Sequence, residues 1–127
     1  MNMEIEIKAV VKKTESIDKV KKAITNIFPS VILEEREGTL IGKATKMDVF
    51  KKMLEIQRIR DTAKSFLQKR AKEKEVSFVL NKEAAYVGKV NFLTVEHPMG
   101  GIEVVVRTDD ISEFINWLTE KNTQDKK

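Results

Sequence analysis

Residues 3–11 read Met-Glu-Ile-Glu-Ile-Lys-Ala-Val-Val, and the remaining elements are best understood around this stretch. Its apolar and polar residues alternate with the two-residue period of a β-strand. Ile5 and Ile7 fall on one face of that strand. The other face carries the charged residues Glu4, Glu6 and Lys8. The stretch therefore predicts a sheet strand with one packed face and one polar face.

An amphipathic helix is predicted next. Ser16 is suited to be its N-cap, and Pro29 stops it because a proline ring cannot continue the helical hydrogen-bond ladder. A hairpin follows, in which residues 31–36 and 39–41 are extended around the turn residues Glu37-Gly38. Gly42, inside the return strand, indicates a bulge or a close backbone approach.

Residues 48–74 are helical in composition, but their apolar residues do not stay on one face. The first apolar set is Val49, Phe50, Met53 and Leu54. A second set, rotated by about 120° around the helix axis, is Ile56, Ile59, Ala63, Phe66 and Leu67. Because one straight helix would expose one of these sets, we expect a kink or break near residues 56–58.

Three more strands are predicted over residues 76–80, 89–95 and 102–107, with a helical turn at 84–86. Asp110 and Glu113 match a capping box ahead of a terminal helix. The order β-α-β-β-α-α-β-β-β-α predicts a single α+β domain over residues 1–121, with a mostly antiparallel sheet and helices packed on one face. The other sheet face is either solvated or covered by a second copy of the chain. Residues 122–127 are expected to form a disordered polar tail.

Composition excludes several classes of function. The 127 residues contain no cysteine, which excludes disulfides, thiol nucleophiles and thiolate metal sites. The single histidine excludes a multi-histidine zinc site. No apolar run approaches the ~20 residues of a membrane span, and no phosphate-cradling glycine motif is present. We expect a cytoplasmic, non-enzymatic protein without a cofactor, a bound metal or a membrane partner.

Several acidic residues are candidates for catalytic or metal-binding groups. The cluster of Glu34, Glu35 and Glu37 adjoins a turn, and Glu96 lies beside His97 in a glycine-bearing loop, so both groups are exposed by default. Asp110 and its neighbour are better explained by helix capping. No catalytic residue is predicted, and a divalent-metal enzyme built on the glutamate cluster ranks third among the functional alternatives.

The central segment is strongly basic. Between residues 51 and 74, nine cations face three acids, and this net charge of +6 exceeds the +4 of the whole chain. Such a surface neutralises phosphates and binds them in a salt-dependent way. The predicted nucleic-acid-binding residues are Arg58, Arg60, Lys64, Lys69, Arg70 and Lys72. Two alternatives stay open: an ordinary solvated helix face of the Lys/Glu-rich kind typical of thermophile proteins, and a pairing of Arg60 with an acid such as Asp61.

Trp117 falls about 60° to 100° away from the buried stripe of the terminal helix. It belongs either to the margin of the core or to a contact with another chain, and tryptophan is favoured in such contacts. We therefore predict Trp117 as a residue of a homodimer interface.

Four segments together resemble an archaeal family of small uncharacterised proteins. They are the alternating first strand, the helix ending in Phe28-Pro29, the run Gln57-Arg58-Ile59-Arg60-Asp61-Thr62-Ala63, and the run His97-Pro98-Met99-Gly100-Gly101-Ile102-Glu103-Val104. The resemblance implies a fold like that of the large-subunit ribosomal protein that binds 5S ribosomal RNA. It also implies a homodimer of archaeal, cytoplasmic origin. It supplies no activity and no functional residues.

The leading hypothesis is a non-enzymatic module that binds RNA as a homodimer through the basic helix segment. The alternative is a protein-interaction or assembly component that does not bind nucleic acid.

Overall fold

The computed structural model describes residues 2–94 and 100–121. Within these residues the elements are, in chain order, β1 (Met3–Val10), α1 (Ile17–Ile27), β2 (Ile32–Arg36), β3 (Thr39–Ala44), α2 (Asp48–Ile56), α3 (Arg60–Arg70), β4 (Glu75–Asn81), α4 (Lys82–Tyr86), β5 (Gly101–Thr108) and α5 (Ile111–Thr119).

The strands form one antiparallel sheet with the order β2-β3-β1-β5-β4. The alternating stretch at the start of the chain is thus the central strand. Ile7 of β1 lies opposite Gly42 of β3 on one side and opposite Val104 of β5 on the other. The predicted α+β class and antiparallel pairing are confirmed, and so is the element order apart from the stretch between β4 and β5.

One face of the sheet carries the hydrophobic core. Every second residue of four strands is at most 8% exposed, and this register places those residues on the same face: Ile5, Ile7, Ala9, Leu40, Ala44, Val76, Phe78, Leu80, Ile102, Val104 and Val106. The helices cover this face with buried side chains of their own: Ile24, Phe28, Phe50, Leu54, Leu67, Phe114 and Leu118. The prediction of helices on one face is confirmed.

The hairpin between β2 and β3 turns at the predicted residues. Glu37 and Gly38 both have positive φ, +49° and +76°, which is the geometry of a two-residue hairpin turn. The register of β3 continues through Gly42 without a bulge. A Cβ atom at Gly42 would lie 2.8 Å from Val31 Cγ2 and 2.9 Å from Leu33 Cδ2, so side chains, and not a neighbouring backbone, fill the space beside this glycine.

The long helical segment breaks where its apolar face changes. The Arg58 N–H donates to the Glu55 carbonyl at 3.1 Å, and the Ile59 N–H donates to the Leu54 carbonyl at 3.0 Å. These two bonds form a Schellman motif, whose left-handed residue here is Arg58 at φ +58°. Glycine usually fills that position, because the left-handed conformation costs other residues roughly 1–2 kcal/mol. The predicted break is confirmed.

Two finer expectations differ from the structure. Ile56 belongs to the second predicted apolar set, but it is 68% exposed because α2 ends there and the buried face of α3 is formed by later residues. The strand predicted over 89–95 is reduced, in its described part, to an isolated bridge between Phe92 and Leu80. The helical turn expected at 84–86 is present as α4.

Candidate nucleic-acid interface

The outward face of α3 presents the basic residues to solvent. Ala63 and Leu67 are fully buried and fix the inner side of the helix. Lys64 and Lys69 lie on the exposed side, together with Asp61, Ser65 and Gln68. The helix carries four cations against one acid, so its exposed face is positive. Arg58 before the helix and Lys72 after it are also exposed.

The nine cations of residues 51–74 fall into two groups, those that contact a partner within the protein and those that make no ion pair with a described residue. Lys51 Nζ lies 3.7 Å from Glu120 Oε1, and Lys52 Nζ lies 3.4 Å from Glu55 Oε1. The Arg70 guanidinium lies 4.6 Å from the centre of the Phe66 ring, and both Arg70 and Arg60 are half-buried. The remaining cations make no ion pair within 4 Å with any residue of 2–94 or 100–121: Arg58, Lys64, Lys69, Lys72 and Lys74.

Two of the candidate cations also have a structural explanation. Lys69 and Arg70 lie in the last turn of α3, where positive side chains complement the helix dipole. This effect does not apply to Lys64 in the middle of the helix or to Arg58 outside it. The positive surface therefore extends beyond the positions that helix stability explains.

A groove of about 560 Å³ opens at the junction of α2 and α3. It is lined by Glu55, Ile56, Arg58, Arg60, Asp61 and Lys121. The groove joins two of the predicted residues, Arg58 and Arg60, to a lysine that follows the last helix. Sequence reasoning missed Lys121, because nothing in its own surroundings indicates that the end of α5 returns to this junction.

The uncovered face of the sheet is electrostatically different. Arg107 Nη1 lies 2.7 Å from Glu6 Oε1, and Arg107 Nε lies 3.1 Å from Glu75 Oε1. The hydrogen bond and charge of Glu6, together with those of Glu75, raise the pKa of Arg107. On this face an arginine is matched by two carboxylates, whereas five cations of the α3 region have no such partner among the described residues.

The acidic candidates are dispersed. Glu34 Oε1 accepts a hydrogen bond from Arg36 Nε at 2.9 Å, and Glu35 and Glu37 are exposed. Within residues 2–94 and 100–121, no three His, Asp or Glu side chains are grouped closely enough to hold a metal ion. Asp110 caps α5 as predicted, accepting from the Glu113 N–H at 3.1 Å. Glu96 and His97 lie outside the described residues.

Trp117 lies at the margin of the core. Its ring is half-buried, 6.3 Å from the ring of Phe114, and the ammonium of Lys51 lies 5.2 Å from its centre. These contacts account for its position on α5. Its predicted role in a homodimer interface stays a prediction.

The fold and this surface together define a small α+β protein with an exposed cationic helix. In the part of the chain that the structure describes, no helix is long and apolar enough to cross a membrane. The sequence model of a family described as "RNA binding" matches residues 4–108, which is most of the chain.

The same family appears among curated proteins of archaea. A UPF0201 protein of Thermococcus onnurineus is 36% identical over 125 residues, covering 93% of this chain and 92% of that protein. A UPF0201 protein of Methanocaldococcus jannaschii is 44% identical over 123 residues, covering 93% and 71%. The chain belongs to the UPF0201 family, which confirms the resemblance to an archaeal family of small proteins.

Some relatives are longer. A UPF0200/UPF0201 protein of Archaeoglobus fulgidus is 42% identical over 120 residues, which cover 92% of this chain but only 37% of that protein. The chain thus spans little more than a third of this relative.

Solved structures of the family share the fold. The crystal structure of a UPF0201 protein superposes with a TM-score of 0.87 at 40% identity and covers 94% of both chains. A structure of the UPF0201 protein from Methanococcus jannaschii superposes with a TM-score of 0.85 at 41% identity, covering 94% of this chain and 95% of that chain.

Proposed function

We propose that the protein is a non-enzymatic module that binds RNA in the cytoplasm, through the exposed basic face of α3 and the cations on either side of it. The observation that carries the proposal is the group of cations without an ion-pair partner among the described residues: Arg58, Lys64, Lys69, Lys72 and Lys74. Burial or internal pairing would make such charges unavailable, but these five are exposed. The family description as RNA binding supports RNA as the anionic partner.

Phosphate contacts of this kind predict salt-dependent binding. Each phosphate neutralised by a lysine or arginine releases counterions, which steepens the fall of affinity with salt concentration. Because α3 has no exposed aromatic side chain for stacking, we expect the helix face to position RNA by its phosphates rather than to read its sequence.

The test measures RNA binding by fluorescence anisotropy over a series of salt concentrations. The double variant Lys64→Glu/Lys69→Glu should weaken binding to a structured RNA by more than about tenfold and reduce the salt slope by about 1–2. The control Lys13→Glu/Lys19→Glu makes the same change in net charge at exposed lysines outside α3. Equal losses in the two variants would mean that only net charge matters, and absence of binding at low salt would reject the function.

A second candidate is a protein-interaction or assembly component, and a homodimer is expected under both candidates. Ile32, in the edge strand β2, is 78% exposed, which favours contact with another chain at this edge. Sedimentation velocity tests the homodimer: we expect a dimer that Ile32→Glu converts to a monomer. A strict monomer at high concentration of the unmodified protein would reject it.

A further inference from the structure

The groove between α2 and α3 contains an arginine in a conformation that arginine rarely adopts. Arg58 has φ +58° at the position of the Schellman motif that glycine usually fills. The turn is held by bonds from the backbone N–H groups of Arg58 and Ile59, which any residue other than proline donates. The Arg58 side chain is exposed and makes no ion pair within 4 Å with a described residue. The turn therefore does not require the guanidinium.

The lining of this groove combines positive charge with an exposed apolar side chain. Arg58, Arg60 and Lys121 contribute three positive charges against the two carboxylates of Glu55 and Asp61, and Ile56, 68% exposed, contributes the apolar surface. Glu55 is engaged by Lys52 at 3.4 Å. The volume of about 560 Å³ lies within the range of roughly 300–1,000 Å³ common for small-ligand sites. The matching ligand is an anion that also carries an apolar face.

A nucleotide outside a duplex has these two properties. Its phosphate is an anion that a guanidinium can bind with two parallel hydrogen bonds. The face of its base is apolar and is exposed only when the nucleotide is unstacked, as in RNA loops and bulges. In a duplex that face is covered by neighbouring base pairs, so paired RNA offers this groove its phosphates alone.

We propose that the groove holds one unpaired nucleotide of a bound RNA, with Arg58 on the phosphate and Ile56 against the base. This rests on the proposed RNA-binding function and deepens it. The α3 face contacts phosphates of any RNA, whereas the groove selects RNA that contains unpaired nucleotides.

The test compares a stem-loop RNA with a fully paired duplex of the same number of phosphates, using the full chain. Arg58→Gly should weaken stem-loop binding by about tenfold and duplex binding by about threefold or less. Ile56→Ser, which changes no charge, should weaken only stem-loop binding. The matched control Lys64→Ala removes one exposed cation outside the groove and should weaken both RNAs equally.

Thermal melting shows whether these variants report on folding. Arg58→Gly should melt at the same temperature or up to roughly 5 °C higher, because glycine fits the left-handed position. Equal losses for both RNAs in Arg58→Gly and Ile56→Ser, or no preference of the unmodified protein for the stem-loop, would overturn the groove proposal while leaving RNA binding intact. Failure of the unmodified protein to bind either RNA would instead overturn the proposed function.

Discussion

The side chain of Gln57 makes both backbone hydrogen bonds of Val90: Nε2 donates to the Val90 carbonyl at 2.9 Å, and Oε1 accepts from the Val90 N–H at 2.7 Å. Gln57 is the C-cap of α2, so the break between α2 and α3 anchors the segment that follows α4. That segment places Phe92 against Phe66 of α3, with ring centroids 4.8 Å apart. The segment pairs with β4 through the isolated bridge between Phe92 and Leu80, while the backbone of Val90 is bound by the Gln57 side chain.

Gln57→Ala is expected to lower the free energy of unfolding by about 2 kcal/mol. The substitution leaves the half-buried N–H and C=O groups of one residue without their partner, and such groups are costly to leave unpaired. Urea unfolding measures the change. Gln68→Ala removes an exposed glutamine from α3 and should change stability by less than about 0.5 kcal/mol. Similar losses in the two variants would contradict the role assigned to Gln57.

A second internal link joins α4 to the loop after β1. Lys82 is only 7% exposed, and its Nζ lies 2.9 Å from Glu15 Oε1 and 2.5 Å from the Val10 carbonyl oxygen. Burial raises the pKa of Glu15, but hydrogen bonds from Lys82 and the Lys12 N–H, with the charges of both lysines, outweigh it. The pKa therefore lies below its ordinary value of 4.5.

This shift gives stability a defined pH dependence. A carboxyl group whose pKa is lower in the folded protein than in the unfolded chain stabilises the fold above the unfolded value. The contribution is lost as the pH falls through the folded value. Near pH 6 the melting temperature of Glu15→Gln should therefore be lower than that of the unmodified protein. The difference between the two melting temperatures should narrow as the pH falls to about 3. Glu35→Gln, at an exposed glutamate of β2, is the control. If the melting temperature of Glu15→Gln differed from that of the unmodified protein by the same amount at every pH, the ion pair would be contradicted.

The sequence predicted the features that depend on local rules. The alternation in β1, the N-caps Ser16 and Asp110, the hairpin turn and the helix break each follow from residues that are close together in the chain. The contacts of Gln57 and Lys82 join residues 33 and 67 positions apart, and neither residue type indicates burial by itself. Such links depend on the packing of helices over the sheet, which periodicity does not specify.

For the candidate RNA-binding surface, too, some features could be predicted from local spacing and others could not. Helical spacing predicted that Ala63 and Leu67 share an apolar face, and the structure buries both while Lys64 and Lys69 are exposed. It could not show which cations are already engaged, because Lys51 meets Glu120 only through the packing of α2 against α5. It also gave no sign of the groove, which residues 55–61 form together with Lys121 from the far end of the chain.

Close packing at the start of β5 predicts that replacing Gly101 by alanine costs more stability than the same change at Gly42. A Cβ atom at Gly101 would meet Val79 Cγ1 and would lie 2.8 Å from the Leu80 carbonyl oxygen. At Gly42 the nearest atoms belong to the side chains of Val31 and Leu33, which can shift more readily than a backbone oxygen. Gly101→Ala is therefore expected to cost about 2–3 kcal/mol and Gly42→Ala less. Chemical unfolding of both variants measures the loss in free energy of unfolding. A larger loss for Gly42→Ala than for Gly101→Ala would contradict the prediction.

Lys51 and Lys69 carry the same charge but differ in their surroundings. Lys51 Nζ donates to the Trp117 carbonyl at 2.5 Å and lies 5.2 Å from the centre of its ring. Lys69 is exposed and makes no ion pair within 4 Å with a described residue. One lysine holds α2 against α5, whereas the other is available to a phosphate.

Matched substitutions by methionine separate these two roles. Lys51→Met should lower stability by about 1–2 kcal/mol, because it removes a half-buried hydrogen bond and a cation–π contact, and should leave RNA affinity unchanged. Lys69→Met should leave stability within about 0.5 kcal/mol and reduce the salt slope of RNA binding by about 1. Thermal melting and the salt series measure both variants. An equal loss of RNA affinity in the two would show that binding responds to total charge and not to the face of α3.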